Sequence, residues 1–144
     1  MKLKIVIQGI TGRMGRHVFD AIKGAEDMCL IGGISRNPKS TEFLIDNKQL
    51  SIYSSLAELL SKQKADVLID FSNADVLIET LPLAVKNGLH VVSGTTGIDQ
   101  KTLKKFHQLA LDNDKGIVIA PNFALGAIVL QKLAGIAGKF FNYV

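Results

Sequence analysis

The stretch Gly9-Ile10-Thr11-Gly12-Arg13-Met14-Gly15 decides the fold of this chain. It follows Leu3–Gln8, an apolar run rich in β-branched residues that predicts a buried strand. It leads into residues 16–24, where apolar residues at helical spacing predict one face of a helix. A glycine turn between a strand and a helix start brings backbone N–H groups close to a ligand, which suits a nucleotide phosphate. The spacing differs from the usual G-x-G-x-x-G, so a turn that only packs the helix is an open alternative.

Composition limits the classes of protein to consider. The chain has 144 residues, of which 47% are hydrophobic and 21% charged, as in one soluble globular domain. The net charge of +4 suits anionic ligands, but Lys and Arg are scattered, so we expect no nucleic-acid partner. Cys29 is the single cysteine, which excludes an intrachain disulfide and fits a cytoplasmic location. Neither a membrane span nor a signal peptide is predicted.

Strand and helix patterns alternate along the chain. Further strands are predicted at Met28–Ile34, Ile52-Tyr53, Ala65–Phe71, Leu89–Ser93 and Gly116–Ala120. Helices are predicted to start after Ser54 or Ser55, after Ser72 or Asn73, and after Asp99. This order predicts an α/β fold with a doubly wound, mostly parallel, Rossmann-like sheet and helices on both faces. Pro82 should kink its helix or mark the real start, and the apolar last helix, about 125–141, should be mostly buried.

The loop after the second predicted strand bears on the choice of nucleotide. In such folds an acid at this place holds a ribose 2′-hydroxyl, whereas a basic residue accepts a 2′-phosphate. Here Ser35 and Arg36 occupy the place, Lys39 is close by, and no acid is present. The residues therefore favour NADPH over NADH, with an ordinary solvated basic loop as the alternative.

Four motifs, in order, give the chain a family resemblance. They are Gly9-x-x-Gly12-Arg13-Met14-Gly15, Asp70-Phe71-Ser72, Gly94-Thr95-Thr96-Gly97 and Asn122-Phe123-Ala124-Leu125-Gly126. Together they resemble dihydrodipicolinate reductase. The resemblance implies NAD(P)H-dependent reduction of dihydrodipicolinate, a small dicarboxylate, to tetrahydrodipicolinate in lysine and diaminopimelate biosynthesis. It also implies that residues 1–144 form the dinucleotide-binding domain, and that the family's substrate-binding, homotetramer-forming second domain is absent from this chain.

The resemblance assigns roles by motif. It implies that the pyrophosphate is bound by Gly9, Ile10, Thr11, Gly12, Arg13 and Met14. Arg36 should meet the adenosine ribose or its 2′-phosphate, and Phe71 and Ser72 the middle of the cofactor. The nicotinamide should be bound by Gly94, Thr95 and Thr96 and by Ala120, Pro121, Asn122 and Phe123. Thr96 should also contact the substrate. The chain departs from the family at Ser35, where many relatives carry an acid, at Asn73-Ala74 and at Pro121.

No catalytic residue and no metal ligand is predicted within the chain. His17, His90 and His107 are isolated, and each is expected to be structural or at the surface. Because no general acid is evident, we expect the isolated chain to be inactive as a reductase.

Other classes share parts of the pattern. The stretch 8–12 also resembles the coenzyme A-binding domain of succinyl-CoA ligase, which leaves the motifs at 94–97 and 122–126 unexplained. A short-chain dehydrogenase would need a Tyr-x-x-x-Lys pair, which neither Tyr53 nor Tyr143 supplies. A nucleotide-sensing domain without catalysis is the non-enzyme alternative.

Overall fold

Strands and helices alternate in the computed structural model, which describes residues 2–36, 43–45 and 48–141. The strands are β1 (Leu3–Gln8), β2 (Met28–Ile34), β3 (Leu44–Ile45), β4 (Lys48–Gln49), β5 (Ile52–Tyr53), β6 (Val67–Asp70), β7 (His90–Ser93) and β8 (Ile117–Ile119). The helices are α1 (Arg13–Lys23), α2 (Leu56–Lys62), α3 (Ala74–Lys86), α4 (Gln100–Asp112) and α5 (Leu125–Ala137).

The main sheet is parallel throughout its six strands, in the order β5-β2-β1-β6-β7-β8. From β1 the chain builds outward through β2 to β5, then returns to place β6 on the other side of β1. The strand order therefore reverses between β1 and β6, and ligands of doubly wound sheets bind beyond the carboxyl ends of the strands at such a point. The α/β prediction is confirmed. The β3–β4 pair is a separate antiparallel unit.

Alternating side chains of β1 feed two hydrophobic cores. Ile5 and Ile7 lie in the core on one face of the sheet with Ile22 of α1. Val6 lies in the core on the opposite face with Leu81 of α3. Because successive side chains of a strand point to opposite faces, this central strand is buried on both sides. Its carboxyl end, where the glycine turn begins, is thereby held in the middle of the molecule.

Side-chain caps set the starts of three helices. The Ser55 hydroxyl, the Asn73 amide oxygen and the Asp99 carboxylate each accept a backbone N–H from the first turn of the helix that follows. The predicted cap at Asp99 is confirmed, and the alternatives resolve to Ser55 and Asn73. Pro82 lies inside α3, which is continuous from Ala74 to Lys86, so it does not mark the helix start.

The prediction that the last helix is mostly buried is wrong. No residue of α5 is buried, and Leu130 and Leu133 are 68% and 57% exposed. Val118 on the edge strand β8 is also 52% exposed. Burial needs a facing surface, and the part of the chain that the structure describes offers α5 none. The composition of a helix states how much apolar surface it carries, not what covers it.

Two residues that the sequence analysis names cannot be compared with the structure. Lys39 and Tyr143 lie outside the described residues. Among the described helices, none has the length and apolar character needed to cross a membrane.

Candidate functional site

The glycine turn joins the carboxyl end of β1 to the start of α1. Gly9 has φ of +77°, a left-handed conformation that favours glycine, and its carbonyl accepts the Gly12 N–H at 2.9 Å. The helix begins at Arg13, earlier than the predicted residue 16, so Gly12 is the residue at its cap. Gly12 has no side chain to cap α1, and the first turn carries no acid. The first N–H groups of a helix lack intrahelical acceptors, so this helix start suits an anion.

The three glycines of the turn have different roles. A Cβ at Gly15 would lie 2.2 Å from the Gly9 carbonyl oxygen, and a Cβ at Gly9 would lie 2.7 Å from the Phe71 carbonyl oxygen. Packing of backbone against backbone therefore requires both. A Cβ at Gly12 would meet only the Gly9 carbonyl oxygen, at 3.1 Å. The alternative of a turn that only packs the helix thus accounts for Gly9 and Gly15, but not for Gly12.

A cleft of about 650 Å³ opens at the carboxyl ends of β1, β2, β5 and β6. Six of the predicted cofactor residues line it: Gly9, Thr11, Gly12, Arg36, Phe71 and Ser72. Its other walls come from the start of α2, at Ser54 and Ser55, and from α3, at Val76 and Thr80. From the sequence the two serines are recognisable only as helix caps, because local patterns do not predict the strand order that brings β5 next to β2.

The loop after β2 is tied to the glycine turn. The Thr11 and Ser35 hydroxyls lie 2.9 Å apart in a hydrogen bond. Arg36 is exposed at the cleft, and its guanidinium forms no hydrogen bond or ion pair with any residue that the structure describes. A full positive charge therefore stands at the open edge of the cleft, next to the glycine turn.

The loops after β6, β7 and β8 meet around an aromatic ring. A Cβ at Gly94 would lie 2.2 Å from the Phe71 ring, so the ring rests on the backbone of Gly94. The rings of Phe71 and Phe123 are 5.9 Å apart between centroids. Thr96, two residues after Gly94, is exposed, and the Asn122 side chain accepts the Ala124 N–H at 2.8 Å. These loops form an aromatic wall at the ends of three adjacent strands.

Two predicted site residues turn their side chains inward. Ile10 is fully buried, in the core that also holds Ile5. Thr95 is 4% exposed, and its hydroxyl donates to the Asp70 carboxylate at 2.7 Å. Only the backbones of Ile10 and Thr95 could therefore touch a ligand. Arg13 and Met14 lie on the exposed first turn of α1, and Ala120 and Pro121 follow β8.

Asp70 is the residue that sequence reasoning missed. It ends β6, is fully buried, and joins several polar side chains beneath the aromatic wall. The available signal was an acid at the end of an otherwise apolar strand. Asp70 belongs to the motif 70–72, but a motif by itself does not show which donors its carboxylate accepts.

Among the residues that the structure describes, neither the histidines nor Glu58 line the cleft. The described residues contain no cluster of His, Cys, Asp and Glu that could hold a metal ion. All three histidines are exposed, and Nδ1 of His90 accepts the Gly116 N–H at 2.9 Å. At the start of α2, the backbone N–H of Ser54, followed by its hydroxyl and by Lys62, lowers the pKa of Glu58.

A doubly wound parallel sheet with a glycine turn at its switch point defines the class as a Rossmann-like α/β domain, a class whose members bind ligands at this point of the sheet. A family model described as "Dihydrodipicolinate reductase, N-terminus" matches residues 3–123. The chain therefore belongs to the dihydrodipicolinate reductase family, which confirms the predicted resemblance.

Individual relatives agree with this assignment. Over 99% of its length the chain is 33% identical to 4-hydroxy-tetrahydrodipicolinate reductase of Syntrophomonas wolfei, and over 96% it is 36% identical to that of Dictyoglomus turgidum. It spans about half of these relatives, 55% and 53%. The solved dipicolinate-bound dihydrodipicolinate reductase from Paenisporosarcina sp. TG-14 has a TM-score of 0.82 and 27% identity, covering 98% of this chain and 55% of that one. Homoserine dehydrogenase of S. aureus, at 21% identity and a TM-score of 0.71, over 83% of this chain and 32% of that one, shares the fold.

Proposed function

We propose that this chain binds NADPH in preference to NADH and supplies the cofactor half of a dihydrodipicolinate reductase. The observation that carries the preference is Arg36, an exposed guanidinium at the cleft without a partner among the described residues. Ser35 beside it offers no carboxylate to a ribose 2′-hydroxyl, and its hydroxyl already bonds to Thr11. In this fold class an Arg at this place accommodates a 2′-phosphate.

The glycine turn fits the pyrophosphate. At Gly12 a Cβ would project into space that only one backbone oxygen approaches, which is the space a phosphate between the turn and α1 would need. The start of α1 adds N–H groups and the positive end of the helix dipole. Gly9, Thr11 and Gly12 thus hold the pyrophosphate, while Arg36 holds the adenosine end.

The aromatic wall fits the nicotinamide. Phe71 and Phe123 present ring surface, and the backbone of Gly94–Thr96 can accept from the carboxamide. When bound, the cofactor supplies a hydride. This chain's residues orient the ring and shield one of its sides from water. Thr96 is exposed two residues after Gly94, and we propose that it contacts a small dicarboxylate substrate, the class to which the dipicolinate bound by the Paenisporosarcina relative belongs.

Calorimetric titration of NADPH and NADH tests the cofactor preference. Arg36→Ala should lower the affinity for NADPH by roughly tenfold to a hundredfold, which corresponds to the loss of a well-formed charge-assisted hydrogen bond. The affinity for NADH should change little. Lys104→Ala, an exposed charge on α4, is the matched control. Coenzyme A is titrated as well, because the stretch 8–12 also resembles the coenzyme A-binding domain of succinyl-CoA ligase. Equal affinities for the two cofactors, unaffected by Arg36→Ala, would contradict the proposed preference.

We also propose that the chain alone binds cofactor but does not reduce dihydrodipicolinate at an enzymatic rate. Holding both reactants in an attack geometry can lower a barrier by roughly 7–11 kcal/mol, and Thr96 by itself cannot hold a dicarboxylate in place. An assay that follows NADPH absorbance, with a full-length relative as positive control, measures this. Turnover comparable to the control would place the catalytic groups within these residues. The family's homotetramer and a cytoplasmic location stay predictions, which sedimentation and cell fractionation would check.

A further inference from the structure

The carboxylate of Asp70 is the centre of a buried polar network. It lies at the carboxyl end of β6, between β1 and β7, and has no exposed surface. Its Oδ1 accepts the Gln8 side-chain amide at 2.9 Å, the Ser72 N–H at 3.2 Å and the Ser72 hydroxyl. Its Oδ2 accepts the hydroxyls of Ser93 at 2.8 Å and Thr95 at 2.7 Å. One side chain thus joins the ends of three adjacent strands.

The network holds a carboxylate without a cation. Asp70 forms no ion pair with any residue that the structure describes. Removing a charge from water is costly unless it is fully hydrogen-bonded, and a purely apolar side chain would fill a core position at less expense. The donors around Asp70 meet this requirement, since no buried polar side-chain atom among the described residues lacks a partner. The presence of an acid here is therefore explained by what its donors position.

Three of those donors, Ser72, Ser93 and Thr95, flank the two residues in contact at the aromatic wall. Ser72 directly follows Phe71, while Ser93 and Thr95 stand on either side of Gly94. The Ser93 hydroxyl also accepts the Thr95 N–H at 3.0 Å, which fixes the turn after β7 from within. The loop that carries the Phe71 ring and the loop on which the ring rests are thus anchored to the same carboxylate.

We propose that Asp70 is a positioning residue for the nicotinamide half of the site. It holds the Phe71–Ser72 loop and the Gly94–Thr96 loop in register, so that the ring wall and the backbone groups that meet the carboxamide keep one geometry. The inference rests on the proposed function, because it concerns how well the chain grips the nicotinamide. On the adenosine side, Gln8, which precedes the glycine turn, donates to Asp70, whereas no hydrogen bond among the described residues joins Asp70 to residues 9–15 or to Arg36.

The test separates the two halves of the cofactor. Asp70→Asn keeps the shape of the side chain but puts an amide donor where hydroxyl donors now find an acceptor. We expect its affinity for NADPH to fall roughly tenfold or more, as for loss of a charge-assisted hydrogen bond. Adenosine 2′,5′-bisphosphate, which lacks the nicotinamide, should bind to it as to the wild type. The matched control is Asp66→Asn: Asp66, next to the amino end of β6, accepts the Lys4 N–H at 2.8 Å.

Each outcome decides the inference. Calorimetry with both ligands and circular dichroism are run on the wild type, Asp70→Asn and Ser93→Ala, which removes one donor and is read in place of Asp70→Asn if that variant does not fold. Loss confined to NADPH supports positioning. Equal loss of both ligands, unchanged NADPH affinity or failure of both variants to fold would overturn it, since the network would then be only part of the core. A wild type that binds neither ligand would instead refute the proposed function.

Discussion

Gly15→Ala should lower the stability of the protein, whereas Gly12→Val should abolish nucleotide binding and leave the protein folded. At Gly15 the new Cβ would lie 2.2 Å from the Gly9 carbonyl oxygen and 2.7 Å from the Cα of Ile10. Both are backbone atoms, so no side-chain rotation relieves the clash and α1 must move. Overpacking of this kind costs about 3 kcal/mol at the upper end of its range, whereas Gly→Ala in a helix gains about 1 kcal/mol. The net loss for Gly15→Ala is about 2 kcal/mol, or a fall in Tm of about 4–8 °C.

Gly12→Val should leave a folded protein that no longer binds nucleotide. The backbone at Gly12, with φ of −73° and ψ of 165°, is extended and open to valine, and the nearest atom is 3.1 Å from the new Cβ. Losing glycine at a helix cap costs about 1 kcal/mol. The branched side chain would, however, occupy the space proposed for the pyrophosphate.

Thermal unfolding with and without NADPH distinguishes the two effects. At roughly a hundredfold excess over its Kd, a ligand stabilises the folded state by about 2.7 kcal/mol. The wild type should show this shift and Gly12→Val should lack it, while its Tm without ligand falls only slightly. A Gly12→Val protein that keeps the full NADPH shift would refute the assignment of the pyrophosphate to this turn. A Gly15→Ala protein as stable as the wild type would refute the steric reasoning.

Two further predictions concern stability. Leu81→Ala in the buried face of α3 should lower the free energy of unfolding by about 2–5 kcal/mol, whereas Leu133→Ala in exposed α5 should change it by about 0.5 kcal/mol or less, and urea titration of both compares them. Equal losses would contradict the exposure of α5. Because the folded state lowers the pKa of Glu58, its contribution is present above the carboxyl's unfolded pKa and is lost as pH falls through the folded pKa. The Tm gap between wild type and Glu58→Gln should therefore be present at neutral pH and close in acid, and a gap independent of pH would contradict it.

What the sequence by itself determined about this protein depends on short spacings. The strand before Gly9 and the cap at Asp99 follow from residues within a turn or two of one another. The starts of the helices after Ser54-Ser55 and Ser72-Asn73 were predicted to within one residue, and the structure selected Ser55 and Asn73. The family motifs are also local, which is why the fold class and the family were predicted correctly. The consecutive residues Ser35 and Arg36 could likewise be recognised as candidates for the ribose end of the cofactor, because they follow the second predicted strand.

Only the tertiary structure decided which distant residues meet. Hydrogen bonds from Gln8, Ser93 and Thr95 to Asp70, and the seat of the Phe71 ring on Gly94, depend on the order of β1, β6 and β7 in the sheet. The same holds for the exposure of α5, since a helix cannot be known to be covered until its neighbours are placed. Periodicity reports which side chains share a face of one element. Non-local packing decides which element that face meets. The free energy of burial depends on the apolar area removed from water, and it is the same whether the contacting residues are near or far apart in the sequence.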